Sequence, residues 1–350
     1  MSEVLVDLAS DPLTNWRGPL GLPEFDAISD DRFGPVFDAA LAVHEREIAA
    51  IANNADAPTI TNLLEALELA GDALGRVSAI FWCRAGAHTN PQLQALERVI
   101  APRMSRHFSA VYMNDALFSR IDSLYAQRET LGLDVETARV LEKTWKRFVK
   151  AGAKLGADEK KRLSAIGERL ATLGAQFGQN VLADEAGWAL FLDEDDELAG
   201  LPEFLRDAMA QAAASRDQKG RYAVTLSRSI IEPFLTFSAR TDLRANAFEA
   251  FTKRGEMGGD TDNAAIVRET LELRSEKARL LGYESFAALK LDDTMAKTPS
   301  AVMDLLLPVW KSALAKASDD KMELQRLAQE AGSNEPIAAS DWRYWQEKLR

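Results

Sequence analysis

One cysteine, Cys83, and three histidines, His44, His88 and His107, are all the thiol and imidazole side chains in 350 residues. A single thiol excludes an intramolecular disulfide and fits a reducing compartment. Basic residues are outnumbered as well: 42 Lys and Arg face 54 Asp and Glu, for a net charge of -12. That balance repels phosphate backbones and disfavours nonspecific binding to nucleic acid. Long apolar runs are missing, and no stretch approaches the roughly 18 residues of a membrane helix. The opening MSEVLVDLASDPL carries acids where a secretory signal has its basic region, and no long apolar core follows. The expectation is a cytoplasmic protein that touches neither membrane nor nucleic acid. What the chain does have is 47% hydrophobic content, enough for a large core or two smaller ones.

Helical periodicity dominates. Residues 1–29 are irregular, punctuated by Pro12, Gly18, Pro19, Gly21 and Pro23. Residues 33–52 read as a helix with Phe37, Leu41, Ile48 and Ile51 inward, and a second, capped by Thr59 or Thr61, runs to about residue 85. Asn90-Pro91 opens a third, which Pro102 should kink or end. Further helices are expected to residue 124, over 134–149 and over 154–182. In the last of these, Gly167, Gly174 and Gly178 suggest close helix packing. The pattern then changes. Residues 188–192 are short and apolar, while 222–226 and 233–237 look extended, with β-branched and aromatic residues in short runs, so a small antiparallel β element is expected near 187–237. From residue 241 onward the pattern is helical again. The fold class is therefore mainly α, a multi-helix lobe with one small sheet.

The stretch 242–299 organises the rest. Leu243, Ala247, Phe248 and Phe251 share one helical side; Gly255, Gly258 and Gly259 interrupt it; Asp260, Thr261 and Asp262 can cap the helix carrying Ile266, Val267, Leu271 and Ala278. Its run DNAAIVRETLELRSEKARLLGYESFAALKLDDTMAKTP strongly resembles the thimet oligopeptidase family of zinc metallopeptidases, the oligopeptidase A and peptidyl-dipeptidase (dipeptidyl carboxypeptidase) type. PLGLPEFDAI, LFSRIDSLY, FVKAGAKLGADEKKRLSAIGERLATLGAQFGQNVL, ELAGLP and DWRYWQEKLR follow the family in the same order. The resemblance implies the amino-terminal half of such an enzyme. Residues 1–220 would be an N-terminal helical domain, and 221–350 the start of the metallopeptidase catalytic domain, truncated before the zinc-binding HExxH helix. It also implies two helical lobes around a deep channel that admits short peptides, with zinc held by residues of the missing C-terminal half.

The residues themselves agree that no metal centre is complete here. A zincin needs two histidines one helical turn apart with a glutamate between them. His44-Glu45-Arg46-Glu47-Ile48 puts Ile48 in the second ligand place, so His44 reads as a helix-surface histidine. His88 and His107 have no partner at ligand spacing. GEMGGDTD at 255–262 lacks the Lys-Ser or Lys-Thr of a phosphate loop and the glycine and glutamate of an EF-hand, so a turn plus helix cap explains it. Lys143, Lys146, Arg147, Lys150 and Lys154 around Trp145 and Phe148 could stack and neutralise a nucleic acid; a solvated helix face is the preferred reading. The acidic run 193–197 is read as a solvated loop, and Cys83, beside Trp82, as a small buried hydrophobe. Trp342, Tyr344 and Trp345 crowd one short helix capped by Asp341, and are read as an edge that expects a covering partner. No residue is assigned as catalytic or as a zinc ligand. The chain would form a channel wall that restricts substrate size. The alternative is a stand-alone, non-catalytic helical peptide-binding or scaffold protein derived from the peptidase fold.

Overall fold

The computed structural model describes residues 6–193 and 195–350. The sequence-level readings of MSEVL at the start and of Glu194 in the acidic run lie outside the described residues. The chain divides into two units, one comprising Met1–Ala175 and Leu273–Ser285, the other Gln176–Glu272 and Phe286–Arg350.

Among its described residues the first unit contains helices and no strand, after an irregular stretch to residue 32. It holds α1 (Phe33–Ala52), a π-helical turn at Ile60–Glu65 continuing into α2 (Ala66–Leu69), α3 (Asp72–Ala87), α4 (Pro91–Tyr112), α5 (Asp115–Ala126) and α6 (Val135–Lys150). Of the two expected cap candidates it is Thr59 that caps, making a capping box with Asn62; Asn90 accepts from Leu93 N, and Asp134 accepts from Glu136 N and Thr137 N. One core gathers Phe33, Val36 and Phe37 of α1 against Val77, Ile80 and Phe81 of α3. Phe81 meets Phe33 and Phe37 edge-on, with centroids 5.3 and 5.4 Å apart. A second core gathers Leu63, Leu117, Ile121, Leu141 and Phe148.

One expectation for this unit fails locally. The helix expected from residue 59 to 85 is broken, because Gly71 adopts φ +81 between α2 and α3. Of the two outcomes expected at Pro102, a kink or an end, the end does not occur, and α4 runs through it to Tyr112. Its missing amide is one hydrogen bond lost against the burial of Leu93, Ile100, His107 and Val111 along the same face.

The helices α7 (Ala157–Gly187) and α11 (Ala264–Leu280) each contain a unit boundary. Of the three α7 glycines, Gly167 packs closely, since a Cβ there would lie 3.1 Å from Ser105 Oγ; among the described residues a Cβ at Gly174 or Gly178 would meet no neighbour from outside its own helix turn within 4 Å.

The second unit contains the only strands among the described residues, β1 (Ala189–Leu192) and β2 (Tyr222–Thr225). They pair antiparallel with Ala189 opposite Thr225 and Leu192 opposite Tyr222. A two-stranded ribbon is marginal alone in water. Here α8 (Glu203–Ala214) and α9 (Arg228–Phe237) cover it through Leu205, Met209, Ile231 and Phe234. The stretch 233–237, expected to be extended, is instead the second half of α9. Ile230, Ile231, Phe234 and Leu235 are buried at i, i+1, i+4 and i+5, a helical period that outweighs the local cost of Pro233. Then follow α10 (Thr241–Thr252), α12 (Phe286–Leu291), α13 (Pro299–Glu330) and α14 (Trp342–Leu349). No described helix is long and apolar enough to cross a membrane.

Candidate functional site

The structure brings together two of the three histidines. His44 on α1 and His107 on α4 are both buried, with His44 Nδ1 2.8 Å from His107 Nε2. His44 is therefore not a surface residue. It follows Phe37 and Leu41 and precedes Ile48 on the inward face of α1, one heptad-like stripe. His107 continues the Leu93, Ile100 stripe of α4 in the same way. Gly71 closes over the His44 ring, where a Cβ would come within 3.2 Å, and its amide donates to Glu47 Oε2 at 2.8 Å. Glu45 Oε1 lies 3.7 Å from His107 Nδ1, near enough to attract but too far for a direct hydrogen bond.

Burial is the main reason both imidazoles titrate below their ordinary range. His107 lowers His44 further, while Glu45 and Glu47 oppose the shift. Two neutral rings sharing one N–H between facing nitrogens spend those nitrogens on each other. Among the described residues no group of three or more His, Cys, Asp or Glu could hold a metal ion. The pair thus does not fit a zinc site, and His88 stands apart, exposed at the end of α3. A cavity of about 380 Å³ opens beside His107; on its rim Arg103 pairs with Asp38, Arg106 with Glu168, and Glu45 faces His107.

The other flagged residues are structural. In the 255–262 loop, Asp184 of α7 accepts from Gly255 N at 2.7 Å and from Thr261 Oγ1 at 2.5 Å. Asn263 joins this latch through Asn180 and Phe177 O, and Asp262 caps α11 by accepting from Ala264 N. Trp145 stacks on Tyr125 at 4.4 Å, donates Nε1 to Asp122, and has Lys154 Nζ over its ring; Phe148 is buried. In the acidic run Asp193 takes a bidentate Arg221 and Asp196 takes Arg240, so these acids are tethers rather than a free loop. Cys83 is exposed, contrary to expectation. Leu74, Val77, Ile80 and Phe81 define the inward face of α3, and Cys83 lies two residues, some 200°, beyond Phe81.

The crowded aromatics of α14 are partly covered within the unit. Trp342 and Trp345 pack on Leu324, Ala328 and Ile337, and Tyr344 lies under the Arg244 guanidinium at 4.3 Å. Arg244 is itself buried and donates to Asp341 Oδ1 from both Nε and Nη2, to Ser238 O and to Thr241 Oγ1. Asp341 accepts from Ala338 N as well, and makes no side-chain cap to α14.

The unsatisfied surface lies elsewhere, on α13. Every residue from 303 to 319 is exposed. Met303, Leu306, Leu307, Trp310 and Leu314 fall at i, i+3, i+4, i+7 and i+11, one apolar face of a helix. Trp310 is 65% exposed and Leu305, on the flank, 69%. This spacing was readable in the sequence.

Residues 234–350 match the description of Peptidase family M3. The dipeptidyl carboxypeptidases of Salmonella typhimurium and Escherichia coli are 35% and 33% identical over 332 residues, which is 95% of this chain and 49% of each relative. Oligopeptidase A of Salmonella typhimurium is 27% identical over 333 residues, again 49% of its length. The chain spans about half the length of these relatives, and its residues 234–350 are where it is similar to peptidase family M3.

Proposed function

We propose that this chain is the amino-terminal portion of a zinc-dependent oligopeptidase or dipeptidyl carboxypeptidase, and that it supplies enclosure rather than bond cleavage. The observation that carries the reading is the similarity along 95% of the chain to proteins named dipeptidyl carboxypeptidase, of which it spans 49%. The higher identities fall on that name rather than on oligopeptidase A. In this reading residues 221–350 open the catalytic domain, a division supported by the family match beginning at residue 234. Residues 1–220 form a helical wall. Zinc would be held by residues of the missing carboxy-terminal half, and the complete enzyme would work in the cytoplasm on short peptides. Nucleic acid is not its partner: the net charge of -12 opposes it, and the rings of the basic helix are engaged within the protein.

Confinement selects substrates by size. A 100-residue folded domain has a radius of gyration of about 13 Å, whereas an extended peptide is one strand wide. A wall of packed helices excludes the first and admits the second.

A fluorogenic peptide assay tests the proposal. The 350-residue chain should show no zinc-dependent turnover, and a polypeptide continuing in the same reading frame should restore it. Chelator-sensitive hydrolysis by the purified chain alone would refute the division of labour.

A further inference from the structure

We infer that the apolar face of α13 is the seat on which the carboxy-terminal half of the complete polypeptide docks, with Trp310 as its central anchor. This rests on the proposed function, which supplies the existence of that half; the place of docking comes from α13 itself.

Three observations converge. First, Met303, Leu306, Leu307, Trp310 and Leu314 are each exposed, and Val309, Ala313 and Ala317 widen their stripe. At 100° per residue the combined arc spans about 160°. Asp304, Lys311, Ser312 and Asp319 occupy the opposite side. A two-helix seam needs a narrower stripe, so this arc suits a helix set among several apolar neighbours rather than one facing a single copy of itself. Second, the family match at 234–350 contains α13 whole, so the helix belongs to the shared domain and is not an appendage. Third, the relatives run to about twice the matched length, so enough polypeptide exists in proteins of this kind to cover such a face. The occupant is therefore an apolar, multi-helix surface of the same polypeptide, bounded by groups that can meet the mixed charges of the α13 rim.

The test uses the 350-residue chain and, as a second polypeptide, the sequence encoded in frame beyond Arg350. Binding is followed by sedimentation and by hydrogen exchange, for wild type, Leu307→Lys/Trp310→Glu, and the rim control Asp304→Lys/Lys311→Glu. All four sites are exposed, so circular dichroism of the isolated chain should be unchanged in each variant. The expected result is slowed exchange over 303–317 on mixing, affinity lower by about a hundredfold for the apolar-face variant, and a small change for the control, as for a central aromatic anchor against a rim. Equal binding by all variants, or unchanged exchange over 303–317 in an active mixed complex, overturns the docking site and leaves the proposed function standing. Wild-type chain that forms no zinc-dependent enzyme with the second polypeptide, but self-associates through 303–317, overturns both and makes a second copy the occupant.

Discussion

Replacing Asp184 should loosen one loop without unfolding the molecule. Its carboxylate is buried and accepts two hydrogen bonds, from the buried Gly255 amide at 2.7 Å and from Thr261 Oγ1 at 2.5 Å. Hydrogen bonds to a charged group are worth about 1.5–3 kcal/mol each, and a buried donor left unpaired costs about 1–3 kcal/mol. Asp184→Ala loses both acceptors and strands the amide, so a local cost of about 3–5 kcal/mol is expected. Asp184→Asn retains one carbonyl oxygen, which can serve one donor, and should cost about half as much. Thr261→Val removes the hydroxyl alone, and its effect should largely vanish in the Asp184→Asn background, because the two changes delete one shared interaction. The assay is hydrogen exchange by mass spectrometry, which reads peptides covering 255–263 separately from the rest. Exchange there should accelerate about a hundredfold or more in Asp184→Ala while peptides from α1 and α3 stay unchanged. Wild-type protection at 255–263 in Asp184→Ala, or equal acceleration everywhere, would refute the reasoning.

Other outcomes follow from single contacts. Arg244→Met leaves Asp341 buried without its cation and should destabilise the second unit by about 3–5 kcal/mol, read as a lower urea midpoint in the fluorescence of its tryptophans. His44 and His107 titrate below the ordinary 6.5, chiefly through burial, so the unfolded chain takes up protons first as pH falls. Stability of the first unit should be flat above pH 7.5 or so and decline below about 6.5, a slope that His44→Phe/His107→Phe should flatten in pH-dependent urea melts. Gly71→Ala combines φ +81 with a Cβ 3.2 Å from the His44 ring, and should lower the first unit's thermal midpoint through a cost of about 1–3 kcal/mol. Native protein should react with one equivalent of a thiol reagent, at exposed Cys83, without denaturant.

The sequence carried the helices because burial there is periodic; Thr59 was a cap candidate and Asn90-Pro91 marked a helix start, both as found. It misled where a residue's chemistry distracted from its position. His44 lies three residues after Leu41 and four before Ile48, so its place on the stripe was visible although its polarity suggested the surface. Cys83 is the converse, an apolar-looking residue on the outward side of α3. The run 233–237 looked extended because it is aromatic and β-branched; only the pairing of Ile230 and Ile231 with Phe234 and Leu235 reveals a helix. The meeting of His44 with His107, and of Asp184 with Gly255, spans 63 and 71 residues, and no local pattern encodes such encounters. The α13 face is the opposite case: its stripe is plain in sequence, and structure adds that it stands exposed among the described residues.

The ion pair between Arg244 and Asp341 joins residues 97 positions apart. Translation at about 5–20 residues per second would make the arginine some 5–20 s before its carboxylate exists. During that interval α10 can form, but the guanidinium that later sits in its interior must stay hydrated, so the site around Ser238 and Thr241 stays open. Closure of this part of the fold therefore waits on Asp341, and a ribosome stalled before it would hold a nascent second unit with one cation facing water.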